Sequence, residues 1–307
     1  MTASMESQDE QLFAQARKRL AVHGVTTGSW PPSESVSIAI YDMAETLHEW
    51  GELDLAMTFY RRAFELGVTE GALNLSALLR VHAREPTEAV ALAKQVAEAG
   101  DGRGYVAWGD AELSLGKLDR AAALFARAAE MGEALGVERR GTVYEQSGDV
   151  QSALEWYRRA GEMGLARGWT LLGWLHWRLG RVEEGREGLS RGAEQGDEEA
   201  LPALGELEAE AGNREAAEKW FGKAQAVHPC LGAVQFANFL SEKPDRWTEA
   251  EAVYRRALEC GDEDARHNLG VRLLDLPSRR SEGVELISEA ADRGDPLAIR
   301  ALERIEK

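Results

Sequence analysis

The chain has 307 residues, with 36 Lys and Arg against 53 Asp and Glu and a formal net charge of −17. Hydrophobic residues make up 44% and charged residues 29%, enough apolar content for a sizeable core and far from disordered or collagen-like compositions. Such an acidic balance lacks the Lys and Arg surplus that holds phosphates by counterion release, so nucleic acid is excluded as the expected partner.

The start, MTASMESQDE, is polar and acidic, and no secretory apolar core follows it. No apolar run approaches the roughly 18 residues that a membrane span needs. Leu12, Phe13, Ala16 and Leu20 predict a helix over about residues 10–23, and TTGSWPPSES reads as a loop after it.

From there the chain repeats itself. RRAFELG at Arg61–Gly67 returns as ARAAEMG ending at Gly132, RRAGEMG at Gly164, SRGAEQG at Gly196 and RRALECG at Gly261. With the weaker copies the column reads Gly67, Gly100, Gly132, Gly164, Gly196, His228, Gly261 and Gly294, in steps of 32 or 33 residues. A column of small residues keeps the same step: Ala44, Ser76, Gly109, Gly141, Gly173, Gly205, Ala237 and Gly270. A second follows in fixed phase: Ala56, Ala89, Ala121, Ala153, Gly185, Ala217, Ala250 and Gly283. Small side chains twelve residues apart let two antiparallel helices close on each other across a short turn.

Each unit is therefore read as a helical hairpin of a helix A and a helix B. In repeat five, helix A runs over about residues 166–179 and helix B over about 182–195, with Gly180 between them and Gly196 as the left-handed stop. Leu154, Tyr157 and Ala160 form one apolar stripe on a helix B, as do Ala217, Phe221 and Ala224. A lone hairpin cannot bury that stripe, so eight hairpins are expected to stack into an α-solenoid. The expected division is an N-terminal tail, capping helix and loop over 1–34, eight repeats over 35–294, and a capping helix over 295–307.

Trp169, Leu172, Gly173 and His176 resemble the opening of a tetratricopeptide repeat, and Ala217, Phe221 and Pro229 its second half. The copies are shorter than that family's 34 residues, and the missing pair lies between repeats. That spacing, with the runs WYRRAGEMG from Trp156 and AEQGDEEALPALG from Ala193, is similar to the Sel-one-like repeat. The turn within each hairpin lacks the usual Sel-one-like insertion. Both resemblances cover about residues 35–307 and imply an all-α, right-handed α-solenoid whose A helices line a concave face. They also imply adaptor work in assembling complexes or relaying signals in a bacterial cytoplasm.

Motifs that could carry catalysis fail on context. GLSRG at Gly188–Gly192 matches a nucleophile pattern, but that chemistry needs a strand-to-helix elbow and Ser190 falls inside a helix B. The formal glycosylation triplet at Asn74–Ser76 sits mid-helix. His23, His48, His82, His176, His228 and His267 are scattered and make no ligand cluster, so no metal is expected. Phosphate-loop and dinucleotide fingerprints are absent, so neither a cofactor nor an enzyme is expected.

Cys230 and Cys260 fit neither a disulfide framework nor a metal spacing, which predicts a reducing, cytoplasmic setting. They open and close one hairpin, so proximity is open. Two small apolar side chains in a helical core is the favoured account. The pairs Arg61-Arg62, Arg158-Arg159 and Arg255-Arg256 recur at one place in helix B and read as a solvated edge paired with glutamates.

The best functional signal lies on helix A, at the residue after the small column and the one three later, which share a face. Repeat five places Trp174 and Trp177 there, with Glu145 and Glu206 at the equivalent places in its neighbours. Aromatics rimmed by carboxylates could take a basic or apolar side chain, or the two rings could fill the groove between A helices as core. The candidate partner-binding set is Trp174, Trp177, Glu145, Glu206, Arg178, Glu45 and His48. The expected function is a non-catalytic scaffold binding a basic or amphipathic protein or peptide. The alternative is a ligand-responsive regulator whose solenoid changes shape.

Overall fold

A computed structural model of the chain describes residues 2–26, 35–82 and 84–305. Most of the expected loop TTGSWPPSES, residues 27–34, lies outside them. The described residues form eighteen α-helices and no strand, an all-α helical repeat.

By contact density the chain divides into two compact units, residues 1–156 and 157–307. The first holds α1 (Thr2–Val22), α2 (Val36–Glu49), α3 (Leu53–Glu65), α4 (Thr69–Val81), α5 (Pro86–Glu98), α6 (Gly102–Ser114), α7 (Leu118–Glu130) and α8 (Ala134–Gln146). The division falls inside α9 (Val150–Glu162). The second unit continues with α10 (Ala166–Arg178), α11 (Val182–Glu194), α12 (Ala200–Glu210), α13 (Arg214–Val227) and α14 (Ala233–Ser241). It ends with α15 (Trp247–Glu259), α16 (Asp264–Leu274), α17 (Arg280–Asp292) and α18 (Pro296–Ile305). Helices α2 to α17 alternate as A and B in the predicted register. Repeat five's helices end within a residue of their expected bounds.

The glycine column sets where the B helices stop. Gly67, Gly100, Gly132, Gly164, Gly196, Gly261 and Gly294 all adopt a positive φ, between 82° and 94°. That left-handed residue lets the next N–H turn back to the helix, as in Leu165 N–H to the Ala160 carbonyl at 3.1 Å. His228 is the exception, extended at φ −147°. Within hairpins, Gly51, Gly116, Gly148, Gly180 and Gly212 make the same turn. Where the hairpin turn has no glycine, Pro86, Pro244 or Pro277 starts the next helical element.

Both small columns are buried throughout. In repeat five the backbones themselves meet: a Cβ on Gly173 would lie 2.5 Å from the Leu189 nitrogen and 2.7 Å from the Gly185 carbonyl. In repeats three and six the glycine instead makes room for a ring, Phe125 against Gly109 and Phe221 against Gly205. The predicted B-helix stripes of Leu154, Tyr157 and Ala160 and of Ala217, Phe221 and Ala224 are buried.

The ends are capped by helices. In α1, Phe13, Ala16 and Leu20 are buried, Phe13 lies edge-on to Phe59, and Asp9 holds Arg62 at 2.7 Å. At the other end α18 buries Ala298 against the cluster around Ile287 and Ala290.

The cysteine expectation is corrected. Cys230 and Cys260 form a disulfide between the two ends of the α14–α15 hairpin, with Cα atoms 5.9 Å apart. Neither is a core side chain, and Cys260 is exposed. The ends of an antiparallel hairpin are brought to one edge, which supplies the geometry a disulfide needs. The argument for a reducing compartment, which rested on unpaired thiols, loses its footing.

Candidate partner-binding site

On α10, Trp174 and Trp177 stand three residues apart, so their rings share a face. The ring centroids are 4.8 Å apart and tilted by 36°. Both rings are half-buried and rest against the apolar cluster of Leu189, Leu204 and Leu207. They are thus neither fully core nor free: one part of each packs, and the other faces outward. The Trp177 indole donates to Glu210 Oε2 at 2.9 Å, which fixes that ring's orientation.

Glu206 lies one helical turn before Glu210 on α12, one turn from the carboxylate that holds Trp177. It is half-buried and has no cationic partner among the described residues. Burial, and then the like charge of Glu210, push its carboxyl above the usual range. A desolvated carboxylate with no counterion among the described residues, one turn from the acceptor of the Trp177 indole, has the chemistry to accept a cation, and the indole faces can add cation–π contact. Arg178 follows Trp177 at the end of α10 and is exposed. Glu145 lies on α8, in the first unit.

Glu45 and His48 on α2 form a separate group in the first unit. The Tyr60 hydroxyl donates to Glu45, and Asn74 Nδ2 donates to the same oxygen at 2.8 Å. Burial and the adjacent Glu45 carboxylate hold the Tyr60 hydroxyl well above the ordinary phenol range. Glu45 is therefore committed to holding α2, α3 and α4 together. With His48 it also lines a groove of about 330 Å³ that ends at Val81 and His82.

Sequence reasoning missed the apolar floor of the first unit's A-helix face. Leu73, Val106 and Leu135 line a groove of about 230 Å³ with Ala77, Arg80 and Asp110. Ala77, Arg80 and Asp110 are at the predicted face positions. Leu73 and Val106 lie one turn earlier, three residues before the small column, and that spacing was available in the sequence. Asp110 is paired with Arg139 at 3.0 Å, and Arg103 with Asp101 and Glu70. Arg80 has no acidic partner among the described residues.

Three charges unforeseen in the core, Glu112, Glu138 and Glu208, are buried on A helices. Glu112 is compensated by Lys117 and Arg120, Glu138 by Arg139, and Glu208 by Arg186 and Asn213. They hold the hairpins rather than forming a site. Of the recurrent arginine pairs, Arg61 and Arg255 meet glutamates at the expected solvated edge, whereas Arg62 is held by the buried Asp9. Ser190 lies in the middle of α11, with no strand-to-helix elbow. No group of three or more His, Cys, Asp and Glu is placed to hold a metal among the described residues. No helix among them is long and apolar enough to cross a membrane.

Comparison with known proteins agrees with the fold. The tetratricopeptide repeat family matches residues 38–66 and 106–163. No curated protein sequence matches the chain. Among solved structures, a Sel1 repeat protein from Oxalobacter formigenes is 20% identical, with 96% of this chain and 89% of that one covered and a TM-score of 0.52. The Cut9-Hcn1 hetero-tetramer of the APC/C is 15% identical at a TM-score of 0.57, covering 89% of this chain and 56% of that one. A third, c5321 of uropathogenic Escherichia coli, described as a protective antigen with an SLR fold, is 22% identical at a TM-score of 0.49. It covers 87% of this chain, which spans 63% of its length.

Proposed function

We propose that this chain, a member of the tetratricopeptide and Sel1-like helical repeat family, is a scaffold that binds a basic or amphipathic protein segment on its A-helix face. Tetratricopeptide repeats generally bind protein partners, and folds of this kind are generally non-catalytic. The observation that carries the reading is Glu206: a half-buried carboxylate with no cation of its own, one turn from the glutamate that orients Trp177. A Lys or Arg side chain laid on Trp174 and Trp177 would supply the missing charge.

The test is a peptide array probed with the full-length protein, in which Lys and Arg positions are replaced one at a time by Gln. Binding that depends on one basic residue, and that falls about tenfold with Glu206→Gln, is the expected result. Equal binding by the wild-type chain and the Glu206→Gln variant would remove the carboxylate from the site. Binding only to acidic peptides would overturn the reading.

A further inference from the structure

Trp169, Leu172 and His176 occupy a different stripe of α10 from the tryptophan pair, at positions i, i+3 and i+7. With α9 and α11 they line a second cavity, of about 310 Å³, wholly within the second unit. This is at the small end of the range for pockets that hold small molecules. Trp169 lies across Gly161 of α9, where a Cβ would come within 2.5 Å of the indole. Gly188 of α11 contributes a wall without a side chain.

Two polar atoms here have no partner. Trp169 is 6% exposed and His176 is 8% exposed, and both Trp169 Nε1 and His176 Nδ1 are buried without a hydrogen bond. An indole N–H can only donate, so it calls for an acceptor. Burial, and then Arg181, push the His176 pKa below the usual range, which keeps the ring neutral and able to give or take one bond. The rim has matching vacancies of charge. Arg191 pairs with Glu187 at 2.7 Å and covers the Trp169 ring with its guanidinium 4.8 Å from the centroid. That leaves Arg158 without an acid and Glu184 without a base among the described residues. Arg158 thus departs from the paired edge formed by the equivalent Arg61 and Arg255.

One buried donor, one neutral imidazole, one free cation and one free anion complement a small molecule bearing both charges. We propose that this cavity binds a free α-amino acid as its zwitterion, the carboxylate taking the Trp169 indole N–H and Arg158, and the ammonium taking Glu184. Leu172 gives its side chain an apolar wall. The site stands independently of the protein-binding reading, since it shares none of that site's residues.

The test titrates each proteinogenic amino acid into the full-length protein by calorimetry, with thermal unfolding as a second readout. At least one should bind with a Kd below about 1 mM and raise the melting temperature. The N-acetyl form and the carboxamide of that amino acid, each lacking one charge, should bind at least about tenfold more weakly. Arg158→Ala and Glu184→Gln, both at exposed positions, should weaken binding by a similar factor and leave the unliganded melting temperature unchanged. Absence of heat and of any melting shift for every amino acid would overturn the proposal, as would equal binding of the capped forms or full binding by both variants. A crystal structure with only water on Trp169 Nε1 and His176 Nδ1 at saturating amino acid would do the same.

Discussion

Gly173 of α10 and Gly188 of α11 touch backbone to backbone: a Cβ on Gly188 would lie 2.6 Å from the Gly173 Cα. The two nearest neighbours of a Cβ on Gly173 are main-chain atoms of α11, which cannot turn aside as a side chain can. Gly173→Leu should therefore destabilise the second unit by about 1–3 kcal/mol through overpacking. Gly222 on α13 is the control, because nothing lies within 4 Å of a Cβ placed there. Gly222→Ala should stabilise by about 0.5–1 kcal/mol, the gain expected from removing a helical glycine. Urea unfolding midpoints of both variants check the pair of predictions; an unchanged midpoint for Gly173→Leu would show the two helices can separate freely.

The Cys230–Cys260 disulfide closes a loop across a sequence separation of 30 residues. Chain entropy for a loop of this size predicts a loss of about 3–4 kcal/mol on reduction. The hairpin it closes follows His228, the junction where the left-handed glycine is missing. Urea unfolding with and without dithiothreitol, alongside Cys260→Ser, should show matching losses.

Trp174 and Trp177 rest on Leu189, Leu204 and Leu207, so their replacement has a structural effect as well as a binding one. Trp177→Phe keeps an aromatic ring on that cluster but loses the indole N–H to Glu210 together with part of the packing, at a cost of about 1–3 kcal/mol. Trp177→Ala removes the rest of the packing and should cost more. A double-mutant cycle with Glu210→Ala, which removes the acceptor, read by chemical unfolding, separates the hydrogen bond from the packing.

Glu206 should leave a signature in the pH dependence of stability. Its folded carboxyl is raised above the unfolded value by burial and by Glu210, so the folded state holds the proton more tightly. Ionisation is therefore unfavourable to the fold at neutral pH, and the penalty disappears as pH falls through the raised value. Glu206→Gln should melt higher than the wild type at pH 7, and the two curves should converge in acid. Parallel curves across that range would show that Glu206 is solvated like any surface glutamate.

The hairpin period was legible because the chain repeats backbone requirements as well as side chains. Gly67 and its equivalents mark left-handed turns, and Ala44, Gly173 and theirs mark close approaches. A third column of the same kind runs through the sequence: Ala39, Gly71, Gly104, Gly136, Gly168, Ala200, Gly232 and Ala265, five residues before the first. At Gly71, Gly104, Gly136 and Gly168 its role is the contact with the preceding B helix: a Cβ on Gly104 would lie 2.2 Å from the Ala97 nitrogen. This column joins one hairpin to the next, whereas the first two join the helices of a single hairpin. The buried acids were less accessible. Glu112 and Glu208 share a place in the repeat with Tyr144 and His176, and only the structure brings Lys117, Arg120 and Arg186 to them. The unpartnered atoms of Trp169 and His176 depend on side-chain packing, which no spacing rule supplies.

The left-handed glycines also bear on how such a chain can change length. At Gly132, Gly164 and Gly196 the backbone passes through nearly the same conformation, at φ 87°, 91° and 94°. A duplication or deletion running from one of these glycines to the next adds or removes one whole hairpin. It also leaves the splice in a geometry the chain already uses. Recombination is thus forgiving at these points, and His228, with its extended backbone and neighbouring crosslink, is where such an exchange would be least tolerated.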